Sequence, residues 1–214
     1  EGGVLEDLSK PAPEKIWQRT KSISAAPEEG ENIQIDFLQG DPISVNNQQM
    51  SSSEILNTLN ILAGNHGIGR LDLVENRFTG MKSRGCYETP GGTLLLKAHR
   101  AIESITLDGQ AAHLKDELMP QYADLIYKGL WWSPERKALQ ALIDNTQEAV
   151  SGSIKLNLLK GNIEIVSRES ENSLYDENIV TFEDDKNSYD QSDATGFIKI
   201  NALRLKLNSR RNKK

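Results

Sequence analysis

The run Ile154-Lys-Leu-Asn-Leu-Leu-Lys-Gly-Asn-Ile-Glu-Ile165 carries the clearest statement of architecture in the chain. Ile154, Leu156 and Leu158 alternate with polar residues, and after Lys160-Gly161-Asn162 the alternation resumes at Ile163 and Ile165. Successive strand residues point to opposite faces, so this pattern gives one apolar face, and the glycine-containing turn folds the second arm back on the first. An earlier stretch repeats the design: Ile33, Ile35 and Phe37, a turn at Gln39-Gly40-Asp41, then Ile43 and Val45. Two hairpins with helical patterns between them predict an α+β fold, an antiparallel sheet with packed helices. The regular strand-helix alternation of a doubly wound sheet is missing.

The helices are marked by period and by caps. Ser51 to Ala63 places Ile55, Leu56, Leu59, Leu62 and Ala63 on one face, with Ser51 and Glu54 at capping-box spacing. Leu94, Leu95, Ala98, Ile102 and Ile105 predict another from Thr93 onward. Gln110 to Leu130 reads as helical with a break near Pro120, followed by Trp131 and Trp132 as packing anchors. Ser133 caps a further helix with Pro134 at its first position. The opening, Glu1 to Ser24, reads as an extended segment held by Ile16 and Trp17, and the acidic stretch Glu183 to Asp193 as an exposed excursion. At the end, Ile198, Ile200, Ala202, Leu203, Leu205 and Leu207 form an apolar helix that needs cover, either from its own domain or from a neighbouring subunit. Residues 1–192 are therefore expected as the domain core and 193–214 as a protruding C-terminal helix.

Composition narrows the class. A mean hydropathy of -0.53, with no apolar run near the ~20 residues that span a bilayer, predicts no membrane segment. A net charge of -6 gives no general reason to bind nucleic acid, and the basic end, Arg210, Arg211, Lys213 and Lys214, is too short to change that. One cysteine, Cys86, rules out an internal disulfide and points to the cytoplasm. The start at Glu1, without methionine, suggests a piece of a longer polypeptide or a processed one.

Chemistry concentrates between Glu75 and Thr93, ENRFTGMKSRGCYETPGGT, expected as a charge-dense loop between a strand ending at Val74 and the helix beyond. His66, His99, His113 and Cys86 are too widely spaced to predict a metal site, and the histidines read as surface or capping residues. Lys82 and Arg84 beside Cys86 would favour a thiolate, yet no catalytic partner accompanies it. Gly91 and Gly92 open a helix whose free amides could hold an anion, or only water. The more informative pair is Glu75 and Tyr87: a carboxylate suits an ammonium and a phenol suits either end of an amino acid, so recognition of a zwitterion is expected.

These residues lie in a run, VENRFTGMKSRGCYETPGGT from Val74 to Thr93, that closely resembles the signature of the argininosuccinate synthase family. HGIGR at 66–70, WWSPE at 131–135, LKG at 159–161, SLY at 173–175 and DATGFI at 193–198 extend the likeness along the chain. The resemblance implies an ATP-dependent carbon-nitrogen ligase of arginine biosynthesis. It would join citrulline and aspartate through a citrullyl-adenylate, releasing AMP and pyrophosphate. It further implies that Glu75 and Tyr87 hold citrulline, that no residue of this chain is catalytic in itself, that ATP with Mg2+ binds mainly to an amino-terminal domain lacking here, and that the terminal helix builds a homotetramer. A non-catalytic citrulline-binding or assembly module from the same family is the alternative. Two departures stand out: Cys86 where the signature has an aliphatic residue, and Ser170 to Ser173 (SENS) where a proline is usual.

Overall fold

The computed structural model describes residues 2–177, 179, 190 and 192–211. The chain forms two compact units, Glu1–Leu174 and Tyr175–Lys214. The first is built on a five-stranded antiparallel sheet from β1 (Glu31–Leu38), β2 (Asp41–Val45), β3 (Gln48–Gln49), β6 (Gly152–Leu159) and β7 (Asn162–Glu169), in the order β3-β2-β1-β6-β7. Both hairpins read from the sequence are present. Lys160 and Gly161 turn the second with φ of 45 and 83 degrees, the left-handed pair its two-residue loop requires. The register then sets Ile33 against Leu156 and Ile35 against Ile154, so the apolar faces of the two hairpins merge.

On that merged face lie α1 (Ser52–Asn65) and α2 (Pro90–Thr106). Ile55, Leu59 and Ala63 from α1 and Leu94, Ala98, Ala101 and Ile102 from α2 meet Ile33, Ile35, Phe37, Ile154, Leu156 and Leu158 in one core. Each large side chain so buried contributes roughly 1.5–3 kcal/mol relative to exposure. The capping box predicted for α1 is formed, with the Glu54 amide donating to Ser51 Oγ and the Ser51 amide donating to Glu54 Oε2 at 2.8 Å.

Two expectations are corrected. First, α3 (Gly109–Tyr127) runs unbroken through Pro120. The residue whose carbonyl loses its partner there, Asp116, is exposed, where water can replace the missing amide. Second, Trp131 and Trp132 are 47% and 79% exposed in the turn before α4 (Pro134–Gln147) and are not packing anchors. Trp131 instead carries the Arg136 guanidinium 4.7 Å from its ring. As expected, Ser133 caps α4 by accepting the Arg136 amide.

In the second unit the predicted terminal helix appears as α5 (Ser192–Asn201) and α6 (Leu203–Arg211), abutting at Ala202. The Ala202 amide donates to Ile198 and the Lys206 amide to Ala202, so the hydrogen bonding passes across the join. Phe197, Ile198, Ile200, Leu203, Leu205 and Leu207 are all at least half exposed. Of the predicted acidic excursion, residues 183–189 and 191 lie outside the described residues, as do 212–214 with the end of the basic tail.

Candidate functional site

The charge-dense stretch is not a loop. Its second half pairs with the strand before it: β4 (Arg70–Asn76) and β5 (Lys82–Glu88) form a separate two-stranded antiparallel ribbon. The arms turn through Arg77–Met81, with the Arg77 amide on the Met81 carbonyl at 2.7 Å and Gly80 at φ 84 degrees. Sequence periodicity missed β5 because K-S-R-G-C-Y-E is polar on both faces. The signal available was the equal length of the two arms around Gly80.

Strand alternation divides the ribbon. Leu71, Leu73 and Glu75 share one face with Ser83, Gly85 and Tyr87, while Asp72, Val74 and Asn76 share the other with Lys82, Arg84 and Cys86. The opening segment secures this second face and the ribbon's base. Arg84 holds Asp72 through two hydrogen bonds of 2.6 and 2.8 Å and also donates to the Lys10 carbonyl at 2.9 Å. Its guanidinium lowers the Asp72 carboxyl below the usual range, and Asp72 in turn raises Arg84.

At the base, Glu88 accepts the backbone amides of Gln18, Arg19 and Thr20 and the Thr20 hydroxyl, all within 3.0 Å. Burial alone would raise the Glu88 carboxyl, but the Thr20 hydroxyl and the three amides outweigh it and hold it below its ordinary value. Arg70 completes the fastening with paired bonds to Glu14 at 2.6 and 2.9 Å, one to the Thr20 carbonyl, and a position 5.0 Å over the Trp17 ring. Trp17 thus anchors the opening segment as expected, through a cation. None of Glu14, Arg70, Asp72 and Glu88 was singled out from sequence, because their significance lies in contacts up to 70 residues apart.

The first face carries the two predicted site residues, and the structure brings them together. Tyr87 lies opposite Leu71 while Glu75 lies opposite Ser83, four residues or roughly 13 Å along the strands. The Tyr87 ring spans this separation by lying along the ribbon, and its hydroxyl donates a hydrogen bond to Glu75 Oε1. Both groups remain accessible, Tyr87 being 38% exposed. A carboxylate can accept several donors and a phenol can donate and accept, so the pair can receive an ammonium and a neighbouring polar group in fixed positions. The pair offers a charged acceptor and a hydroxyl on one face, the groups that recognition of a zwitterion calls for.

The remaining candidates recede. Burial raises the Cys86 thiol, the adjacent Asp72 carboxylate adds to this, and Arg84 is occupied by Asp72 while Lys82 donates to Asn76. Arg84 does favour the thiolate, as expected, but burial and Asp72 outweigh it. The Gly91 amide donates to Asn60 Oδ1 at 2.9 Å and is taken up in α1–α2 packing, so it offers no anion contact. His66 does occupy the α1 C-cap position, but it is 2% exposed and bonded to Glu31 rather than lying at the surface. His99 packs edge-on to Phe37 and bonds Gln147, and burial lowers its pKa. Among the described residues no group of three or more His, Cys, Asp or Glu could hold a metal ion, and no helix is long and apolar enough to cross a membrane.

A family model described as the arginosuccinate synthase C-terminal domain matches residues 1–208. The chain belongs to this family. It is 59% identical over 212 residues to a protein of Alkalilimnicola ehrlichii named argininosuccinate synthase, covering 99% of this chain and 53% of that relative. Relatives of the same name from Thiobacillus denitrificans and Methylobacillus flagellatus are each 61% identical, over 97% and 100% of this chain and 51% and 53% of their own lengths. The chain therefore spans about half the length of the curated relatives it matches.

Proposed function

We propose that this chain is the carboxy-terminal half of an argininosuccinate synthase and that the open face of its ribbon holds the amino-acid end of citrulline. The observation carrying this reading is the Tyr87–Glu75 hydrogen bond, which fixes a carboxylate and a phenol side by side on a reachable face. Glu75 would take the substrate ammonium and Tyr87 would orient the group beside it. With that end held, the ureido oxygen is presented to the α-phosphorus of ATP. Attack there forms the new carbon-oxygen-phosphorus link of the citrullyl-adenylate and expels pyrophosphate; the aspartate amine then displaces AMP. The ribbon's contribution is proximity and orientation, with no proton moved by Glu75 or Tyr87.

ATP, aspartate and Mg2+ belong, in this reading, mainly to the half of the relatives' length that this chain does not span. The isolated chain should accordingly be inactive, and the complete enzyme a cytoplasmic ligase of arginine biosynthesis. The exposed apolar residues of α5 and α6 support a further part of the proposal, that the tail builds a homotetramer. Deleting residues 198–214 should reduce the number of subunits per particle in light scattering, and an unchanged number would reject the tail's role.

The test of the site is Glu75→Gln in the complete synthase. Citrulline affinity, read by titration calorimetry, should fall by about tenfold or more as a charged hydrogen bond is lost, with ATP affinity retained. Unchanged citrulline affinity would reject the assignment. The alternative reading is a non-catalytic citrulline-binding or assembly module derived from the same family. Citrulline binding by the chain together with no turnover in the organism's complete gene product would support that alternative.

A further inference from the structure

Gly85 lies in the middle of β5, opposite Leu73, with Tyr87 two residues further on the same face. It is the one buried position of the ribbon. A Cβ built there would come within 2.5 Å of Tyr87 Cε2 and 2.7 Å of both Cζ and the hydroxyl oxygen. Those three atoms are its nearest neighbours, so what excludes a side chain at position 85 is the Tyr87 ring and not the backbone. Gly69 differs in kind: there a Cβ would meet the backbone of Thr89 and Pro90, and φ is +96 degrees. Gly85 has no such left-handed backbone to explain its identity. A glycine inside a strand weakens it, and one is retained where something must approach closely.

We propose that Gly85 is a positioning residue of the site: by leaving out a Cβ it lets the Tyr87 ring lie flat along the ribbon and reach Glu75 four residues away. The inference rests on the reading of Glu75 and Tyr87 as the citrulline-holding pair. An alanine at position 85 would fit a strand backbone without strain, and the ring, already partly exposed, would be the group that gives way. Displaced outward, its hydroxyl leaves Glu75, and the two groups that must act on one zwitterion are separated. The substitution thus acts on substrate recognition and leaves the ladder between β4 and β5 in place.

The experiment uses the complete synthase and four proteins: the parent, Gly85→Ala, Tyr87→Ala and the double variant. Steady-state kinetics give KM for citrulline and for ATP, and thermal unfolding gives Tm. In the parent background Gly85→Ala should raise the citrulline KM on the order of tenfold to a hundredfold, with the ATP KM and Tm held, since small misplacements of a positioned group have effects of this size. In the Tyr87→Ala background, where no ring stands over position 85, the same change should alter the citrulline KM by less than about twofold. Equal increases in both backgrounds, or no increase in the parent, would overturn the role of Gly85. If Tyr87→Ala itself leaves the citrulline KM unchanged, the failure lies with the assignment of the site.

Discussion

The two hairpins β6–β7 and β4–β5 are similar in length and turn tightly, yet they are held by different forces. In β6, Ile154, Leu156 and Leu158 are fully buried against α1 and α2. In the ribbon no apolar side chain is fully buried, and Leu71 and Val74 are nearly half exposed. Its attachments are Glu88 on three amides, Arg84 on the Lys10 carbonyl, and Arg70 on Glu14, with Arg84 on Asp72 tying its own two strands. Apolar burial is insensitive to direction and makes a frame. Directional polar contacts fix where particular atoms sit, which is what a recognition face needs, and they leave the opposite face free.

The contrast can be broken at either end. The largest effect is expected from Leu156→Ala, a cavity in the middle of the sheet, which should lower unfolding stability by about 2–5 kcal/mol in guanidinium titration. The citrulline affinity of the protein that remains folded should not change. A loss below about 1 kcal/mol would mean that the sheet is not the frame. Glu88→Gln should cost less, about 1–3 kcal/mol, by weakening a charged acceptor shared among the Thr20 hydroxyl and three amides.

The second variant also carries a pH signature. The folded-state pKa of Glu88 is lowered, so its contribution is complete above the ordinary carboxyl value, about 4.3, and is lost as pH falls through the lower folded value. The stability difference between the parent and Glu88→Gln should therefore be constant near neutrality and shrink below about pH 4. A gap that widens in acid would invert the assignment.

The frame was legible in the sequence because each of its signals is local. Alternation at Ile33–Phe37 and Ile154–Leu158, the Lys160-Gly161-Asn162 turn and the Ser51/Glu54 cap can all be read within a few residues. Of the ribbon, β4 was legible as the strand ending at Val74, and Glu75 and Tyr87 as residue types that the family signature raised above their neighbours. Strand β5 was not, since its faces meet a polar clasp on one side and an open site on the other, leaving no apolar period. The two tryptophans misled for a related reason: a large aromatic residue signals burial, but a sequence does not say against what, and within this chain Trp132 is mostly exposed. Pro120 misled because the helix around it tolerates one lost bond on an exposed face.

The sheet's topology has a consequence for the order in which the protein can be made. The central pairing of β1 with β6 joins positions such as Asp36 and Ser153, 117 residues apart. A chain emerging from the ribosome would complete β1, β2, both core helices and the ribbon while one long edge of β1 still lacked its neighbour. Until β6 arrives, that edge is an open row of amides and carbonyls beside apolar side chains, the kind of surface that pairs with other copies. Closing so long a loop is slow compared with forming either hairpin, so folding yield is expected to be set by how the nascent chain is shielded over that interval.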